Sequence, residues 1–265
     1  MKIKGYSTGL YGWQVKYWAE GKEPSMEEIF RECAEAGLDA VEIDPVPETA
    51  ALARSFGLSV SGSYAGLPLH EPIENLRIEE TLLPIARRLA ENGGRDLVIN
   101  ADPKGGWDYP LDKTEDEFKR QGDNLTRIAL AVNSLGLAVS MHNHAASLHN
   151  AEGDLRSVIE YGAREIGLCI DTGWAHIAGC DPIGWIRKYP ERVTAFHLRN
   201  QTGLVPAEDL AEGDIDMRKL LGVLDVIGFQ GWLTLELFHP LETQAKRTLM
   251  EDVRRSVEFL KESAE

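Results

Sequence analysis

Short β-rich runs alternate with longer stretches of helical periodicity from one end of this chain to the other, and no low-complexity linker interrupts them. The predicted strands are Ile3–Gly9, Asp39–Asp44, Leu58–Ser63, Asp96–Asn100, Leu137–His142, Ile166–Asp171, Val193–Leu198 and Trp232–Leu237. Between them, apolar residues recur at helix spacing. Met26, Ile29, Phe30 and Cys33 follow a Ser25–Glu28 capping box, and Leu125, Ile128, Ala129, Val132 and Leu135 follow Thr114–Glu117. Leu249, Val253, Val257 and Leu260 mark the last helix. Glycine recurs where helix returns to strand, at Gly37, Gly57, Gly93, Gly136 and Gly228, supplying the left-handed residue that ends a helix. Strands and helices in strict alternation imply parallel strands covered by helices, and eight such units close into a (β/α)8 barrel spanning residues 1–265 as one domain. A doubly wound open sheet would share the alternation, but no glycine-rich dinucleotide fingerprint follows the first strand.

The loops are lopsided. Turns entering strands are short, whereas those leaving them include Tyr64–Ile73, Ala101–Lys113 and Arg199–Ile215, on the side where such barrels build their sites. A formal charge of −15 would repel a phosphate backbone, so nucleic acid is excluded as an expected partner. Cys33, Cys169 and Cys180 are odd in number and unrelated in spacing, and read as reduced thiols. The N-terminus lacks the apolar core of a signal peptide and no run reaches the length of a membrane span, so no membrane association and a cytoplasmic location are expected.

Chemistry concentrates at four consecutive strand ends. The fifth strand ends in Met141, His142, Asn143 and His144, the sixth in Asp171, Thr172 and Gly173, and the seventh in His197, Leu198 and Arg199; the eighth carries Glu236 between Leu235 and Leu237. A carboxylate among apolar strand residues is costly unless paired or bound to a cation. Two imidazoles and two carboxylates meeting at one barrel mouth suit a single divalent ion, Mn, Co, Zn or Mg. Each residue alone has a plainer reading: Asp171 could cap the following turn, His197 could be a satisfied core histidine, and Glu236 could be salt-bridged. His142 and His144 compete for one ligand position.

These runs carry a resemblance. With Ala178 to Pro182, Ile186 to Arg192, Glu212 to Asp216 and Gly231 to Glu236, the chain resembles the sugar phosphate isomerase/epimerase family over nearly its whole length. These are xylose isomerase-like TIM barrels, among them inosose dehydratases, hydroxypyruvate isomerases, ketose 3-epimerases and AP endonucleases. The resemblance implies metal ligands from strands five to eight, falling on Asp171, His197 and Glu236, with His142 where many members carry glutamate. Inosose-dehydratase-like members have a similar His-x-His there. Two further departures are Trp174, where several isomerases carry a substrate-binding histidine that His176 could replace, and Arg199, where lysine is frequent. Dimers and tetramers are frequent in the resembled family, so a homo-oligomer is the open expectation.

The implied reaction is that of a metal-dependent isomerase, epimerase or dehydratase on a small keto- or polyhydroxy-sugar, through a metal-stabilised enediolate. Glu236 is the candidate base, His142 or His144 (His144 preferred) the second acid/base and Arg199 the oxyanion partner. Candidate substrate contacts are Trp13, Tyr64, His70, Asn100, Trp107, Trp174, His176 and Asn200, with Glu42 and Asp102 also at the mouth. No phosphate-binding glycine cluster follows strand seven. The competing readings are a non-catalytic sugar-binding barrel and an AP endonuclease-type phosphodiesterase, the latter disfavoured by the acidic charge.

Overall fold

A computed structural model describes residues 1–144, 151–240 and 244–264. Eight parallel strands form a closed barrel. They are β1 (Gly5–Gly9), β2 (Ala40–Glu42), β3 (Ser59–Leu67), β4 (Asp96–Ala101), β5 (Ala138–His142), β6 (Gly167–Asp171), β7 (Val193–Leu198) and β8 (Trp232–Leu235). Each strand pairs with its sequence neighbours, and β1 closes the ring on β8 in a register running from Gly5 opposite Trp232 to Thr8 opposite Leu235.

Helices separate the strands as the periodicity predicts. The capping box at Thr114 is complete: its hydroxyl accepts from the Glu117 N–H at 3.3 Å, and the Glu117 carboxylate accepts from the Thr114 N–H at 2.6 Å. Ser25 makes only its half, accepting from the Glu28 N–H at 3.4 Å. The helix-to-strand glycines adopt positive φ, 84° at Gly37 and 71° at Gly136, a conformation costly to any residue with a Cβ.

The sequence expectation needs adjusting at β3. Its pairing with β4 continues past Ser63 through Tyr64, Ala65, Gly66 and Leu67, so the segment read as the start of a loop is strand. The long segment after β7 also carries structure of its own, a short antiparallel pair of Gln201–Thr202 with Val205–Pro206.

Side chains two residues apart on a strand share a face. Two positions before Asn100, Asp171 and His197 stand Val98, Cys169 and Ala195, which pack together as a small buried cluster apart from the main core. Small residues therefore floor the barrel beneath its mouth. The main core lies outside the sheet, where Ile29, Phe30, Leu125, Ile128, Leu220, Val253 and Val257 cover the strands.

Candidate metal centre

His142 ends β5, Asp171 ends β6 and His197 lies one residue before the end of β7, with Asp171 and His197 register partners; Glu236 follows β8, its N–H bonded to the Leu198 carbonyl at 3.1 Å. One ligand atom from each of the four lies within 4.8 Å of all the others. The arrangement is braced. The Asn143 side chain bridges β5 and β6, donating to the Asp171 carbonyl at 3.0 Å and accepting from its N–H at 2.9 Å.

The inner imidazole nitrogens test whether these residues fit a cation. Nε2 of His142 lies 3.4 Å from Oδ2 of Asp171, and Nδ1 of His197 lies 3.3 Å from Oε2 of Glu236. Neither nitrogen makes a hydrogen bond, although both are buried. Their outer nitrogens are held: His197 Nε2 is 3.0 Å from Oε1 of Glu42, and His142 Nδ1 is 3.3 Å from Oδ1 of Asn100. An imidazole anchored through one nitrogen, with the other aimed at carboxylates without bonding them, is how protein metal ligands are arranged. The donor set fits a divalent cation.

Charge balance follows the same plan. Burial alone would raise the Asp171 carboxyl, but the Arg199 guanidinium holds it well below the usual carboxylate range. Arg199 donates through Nη2 at 2.7 Å and Nε at 3.3 Å, while Trp174 donates its backbone N–H to Oδ1 of Asp171 at 2.7 Å. Asp171 therefore caps the next helix and faces the cluster at once. Burial opposes charge on His197, yet the Glu236 and Glu42 carboxylates lift its pKa above that of a free imidazole.

His144 separates from His142. Its ring stacks on Trp174 with centroids 4.0 Å apart and meets Trp107 edge-on at 4.6 Å. Burial, reinforced by the Arg199 charge, pushes its pKa down to about 3. His144 is thus an aromatic wall that stays neutral at ordinary pH, and it lies outside the four-residue cluster.

A cavity of about 690 Å³ opens over the cluster. Tyr64, Trp107 and Trp174 line it, together with His142, Arg199 and Glu236. The other expected contacts do not line it. Trp13 is buried against its own helix layer, its indole N–H bonded to Glu32 at 2.7 Å. Asn200 organises the loop after β7 by donating to the carbonyls of Leu210 and Ile215 at 3.1 and 3.0 Å. His70 is buried, with its backbone carbonyl accepting from Arg120, and His176 stands 3.6 Å from Asp214. Asn100 is buried against His142. Sequence reasoning missed Tyr11, Gln14, Asp44 and Thr49 on the cavity wall. They lie among ordinary turn and helix residues, without a signal to set them apart.

Comparison with known proteins places the chain in a class. The pattern of the xylose isomerase-like TIM barrel family matches residues 30–263, and the chain belongs to that family. Its solved structural neighbours include a sugar phosphate isomerase/epimerase from Parabacteroides distasonis ATCC 8503, 18% identical with a TM-score of 0.75 over 99% of this chain and 94% of that one. D-Psicose 3-epimerase from Clostridium cellulolyticum H10, solved with D-tagatose, is 17% identical with a TM-score of 0.76 over 100% of both chains. The 3-keto-D-glucoside 4-epimerase of E. coli is 19% identical with a TM-score of 0.71 over 99% of each. At these identities the likeness is one of fold. No curated protein sequence matches the chain, and no described helix is long and apolar enough to cross a membrane.

Proposed function

We propose that this protein is a divalent-metal-dependent isomerase, epimerase or dehydratase of a small keto- or polyhydroxy-sugar. The observation that carries the reading is the cluster of His142, Asp171, His197 and Glu236 beneath an aromatic-walled cavity. Structural neighbours that are epimerases by name support the substrate class. The two imidazoles favour Mn, Co or Zn over Mg.

A cation bound there supplies Lewis acidity, polarising a substrate carbonyl and easing removal of the adjacent C–H proton. The proton goes to Glu236. Its side chain is 17% exposed, against 2% or less for His142, Asp171 and His197, so it is the ligand carboxylate a substrate can reach. Arg199 lines the cavity while bound to Asp171, and its charge stabilises the enediolate oxygen. Tyr64, Trp107 and Trp174 offer apolar faces to the sugar. With histidine at position 142, β5 contributes no second proton-transfer carboxylate. That favours one-base chemistry: Glu236 returns the proton to carbon to give an isomer, or passes it to the departing β-hydroxyl, which leaves as water, to give a dehydrated product.

The test is exchange. Protein stripped of metal and reloaded with Mn or Co is incubated with a panel of ketoses in D2O and followed by NMR. The expected result is deuterium at the carbon next to the carbonyl, dependent on the cation, with isomerised or dehydrated product. Stoichiometric metal with binding but no exchange on any sugar would favour the non-catalytic barrel. Cleavage of abasic DNA instead would favour the phosphodiesterase reading.

A further inference from the structure

Asn100, at the end of β4, is the register partner of His142 on β5, and its side chain is fully buried. Its Nδ2 donates to Oδ1 of Asp102 at 2.9 Å, while its Oδ1 faces Nδ1 of His142 at 3.3 Å. The two ends of a side-chain amide are chemically distinct, and an ionised carboxylate only accepts. Asp102 therefore takes the NH2 end, and the carbonyl end is left for His142. An imidazole nitrogen facing a carbonyl oxygen must carry the hydrogen. The proton then sits on Nδ1 and the lone pair on Nε2, the buried nitrogen that faces Asp171 without a hydrogen bond.

The backbone makes room for this arrangement. A Cβ at Gly66 on β3 would lie 2.6 Å from Oδ1 of Asp102, so only glycine lets that carboxylate turn back over the strand end. The Asp102 N–H is tied to the Leu67 carbonyl at 2.9 Å, which fixes where the carboxylate starts.

We infer that Asp102 and Asn100 are a positioning pair that selects the tautomer of His142 and thereby leaves Nε2 open to a cation. Its purpose rests on the metal-site reading proposed above, whereas the tautomer itself does not. The need is peculiar to an imidazole at this position. A carboxylate has two equivalent oxygens and no tautomer to choose, but an imidazole with its hydrogen on the inner nitrogen cannot act as a ligand. Glu42 performs the corresponding service for His197 through an oxygen that can only accept.

The direct test is the imidazole 15N spectrum of metal-free, histidine-labelled protein at mildly alkaline pH, with His142 assigned through His142→Gln. The expected wild-type signature is Nδ1–H. Asn100→Leu should move His142 toward the Nε2–H form that an unconstrained histidine side chain prefers, and should weaken Co binding, read by chelator competition, by about 10- to 100-fold. The exchanged pair Asn100→Asp/Asp102→Asn keeps an acceptor facing Nδ1 and a donor behind it, so it should restore both readouts. An Nε2–H signature in the wild type would overturn the inference without any variant. So would an Asn100→Leu protein with tautomer and affinity unchanged, or an exchanged pair no better than Asn100→Leu. A wild type with the Nδ1–H signature but no affinity for Co would instead remove the metal reading and leave the positioning pair standing.

Discussion

Arg199 grips Asp171 through two hydrogen bonds, from Nη2 at 2.7 Å and from Nε at 3.3 Å, with both side chains buried. The same carboxylate faces His142, so one anion is shared between a guanidinium and the candidate metal ligands. Trp174 lies 4.4 Å from the guanidinium carbon, measured to the ring centroid, and its ring face helps to hold the cation in place.

Removing that arginine should be expensive. Arg199→Ala leaves Asp171 buried and unpaired, and the expected loss is about 3–5 kcal/mol of folding stability in the metal-free protein, measured by chemical denaturation. Saturating Mn should shrink the difference, because the cation supplies the missing charge. Equal losses with and without Mn would mean that Asp171 does not face the ion.

Glu236→Gln keeps the shape of the side chain and removes its basicity. Substrate deuterium exchange should fall by at least about 100-fold with folding preserved, as seen by circular dichroism. Exchange at the wild-type rate would take Glu236 out of the proton transfer.

His142, which ends β5, and His144, two residues beyond it, should behave differently. His142→Ala and His197→Ala are expected to lower Co or Mn affinity by more than the roughly 10- to 100-fold that losing a supporting partner costs. His144→Ala should leave metal affinity within a few-fold while weakening sugar binding, because its ring packs on the cavity's tryptophans. The reverse order, read by isothermal titration, would exchange the two assignments.

Asp96, at the first position of β4 and outside the four-residue cluster, gives a pH dependence of its own. Burial, reinforced by Glu42 against the opposing charge of Lys4, pushes its pKa up to about 6. For an acid with a raised folded-state pKa, the native state holds the proton more tightly than the unfolded chain does. Stability from this group is therefore complete below about pH 4 and declines as pH rises towards about 6. Asp96→Asn should flatten that part of the profile and stabilise the protein at neutral pH by up to about 3 kcal/mol. An unchanged slope between those values in thermal melts would contradict the assignment.

The barrel was legible because each of its units repeats the same signal. Val193–Leu198 stands where the apolar run predicts it, and the positive φ of Gly37 and Gly136 follows from the helix-to-strand signature. β3 ran past its predicted end because Ala65 and Gly66 carry no strand propensity of their own, and their pairing with Ile99 and Asn100 is a tertiary fact. The four metal-capable residues were readable as polar groups interrupting apolar strands. What strand parity could not reveal was which polar neighbour each would meet. Asn100, expected at the substrate, turns instead to His142, and Trp13, expected on a sugar face, packs on the helix that carries Glu32. An indole looks the same in a sequence whether it faces a cavity or a core.

The pairing of β1 with β8 has a consequence for how the chain matures. Glu236 follows the last strand, whereas Glu42 and Asn100, which steer the two histidines, come from the part of the chain made first. A coordination sphere whose donors and guides are split in this way is completed only when the ring shuts. On the proposed metal-binding reading, tight uptake of a cation becomes a readout of barrel closure, and a nascent chain still lacking its final strand would bind the ion weakly however well its earlier strands had folded.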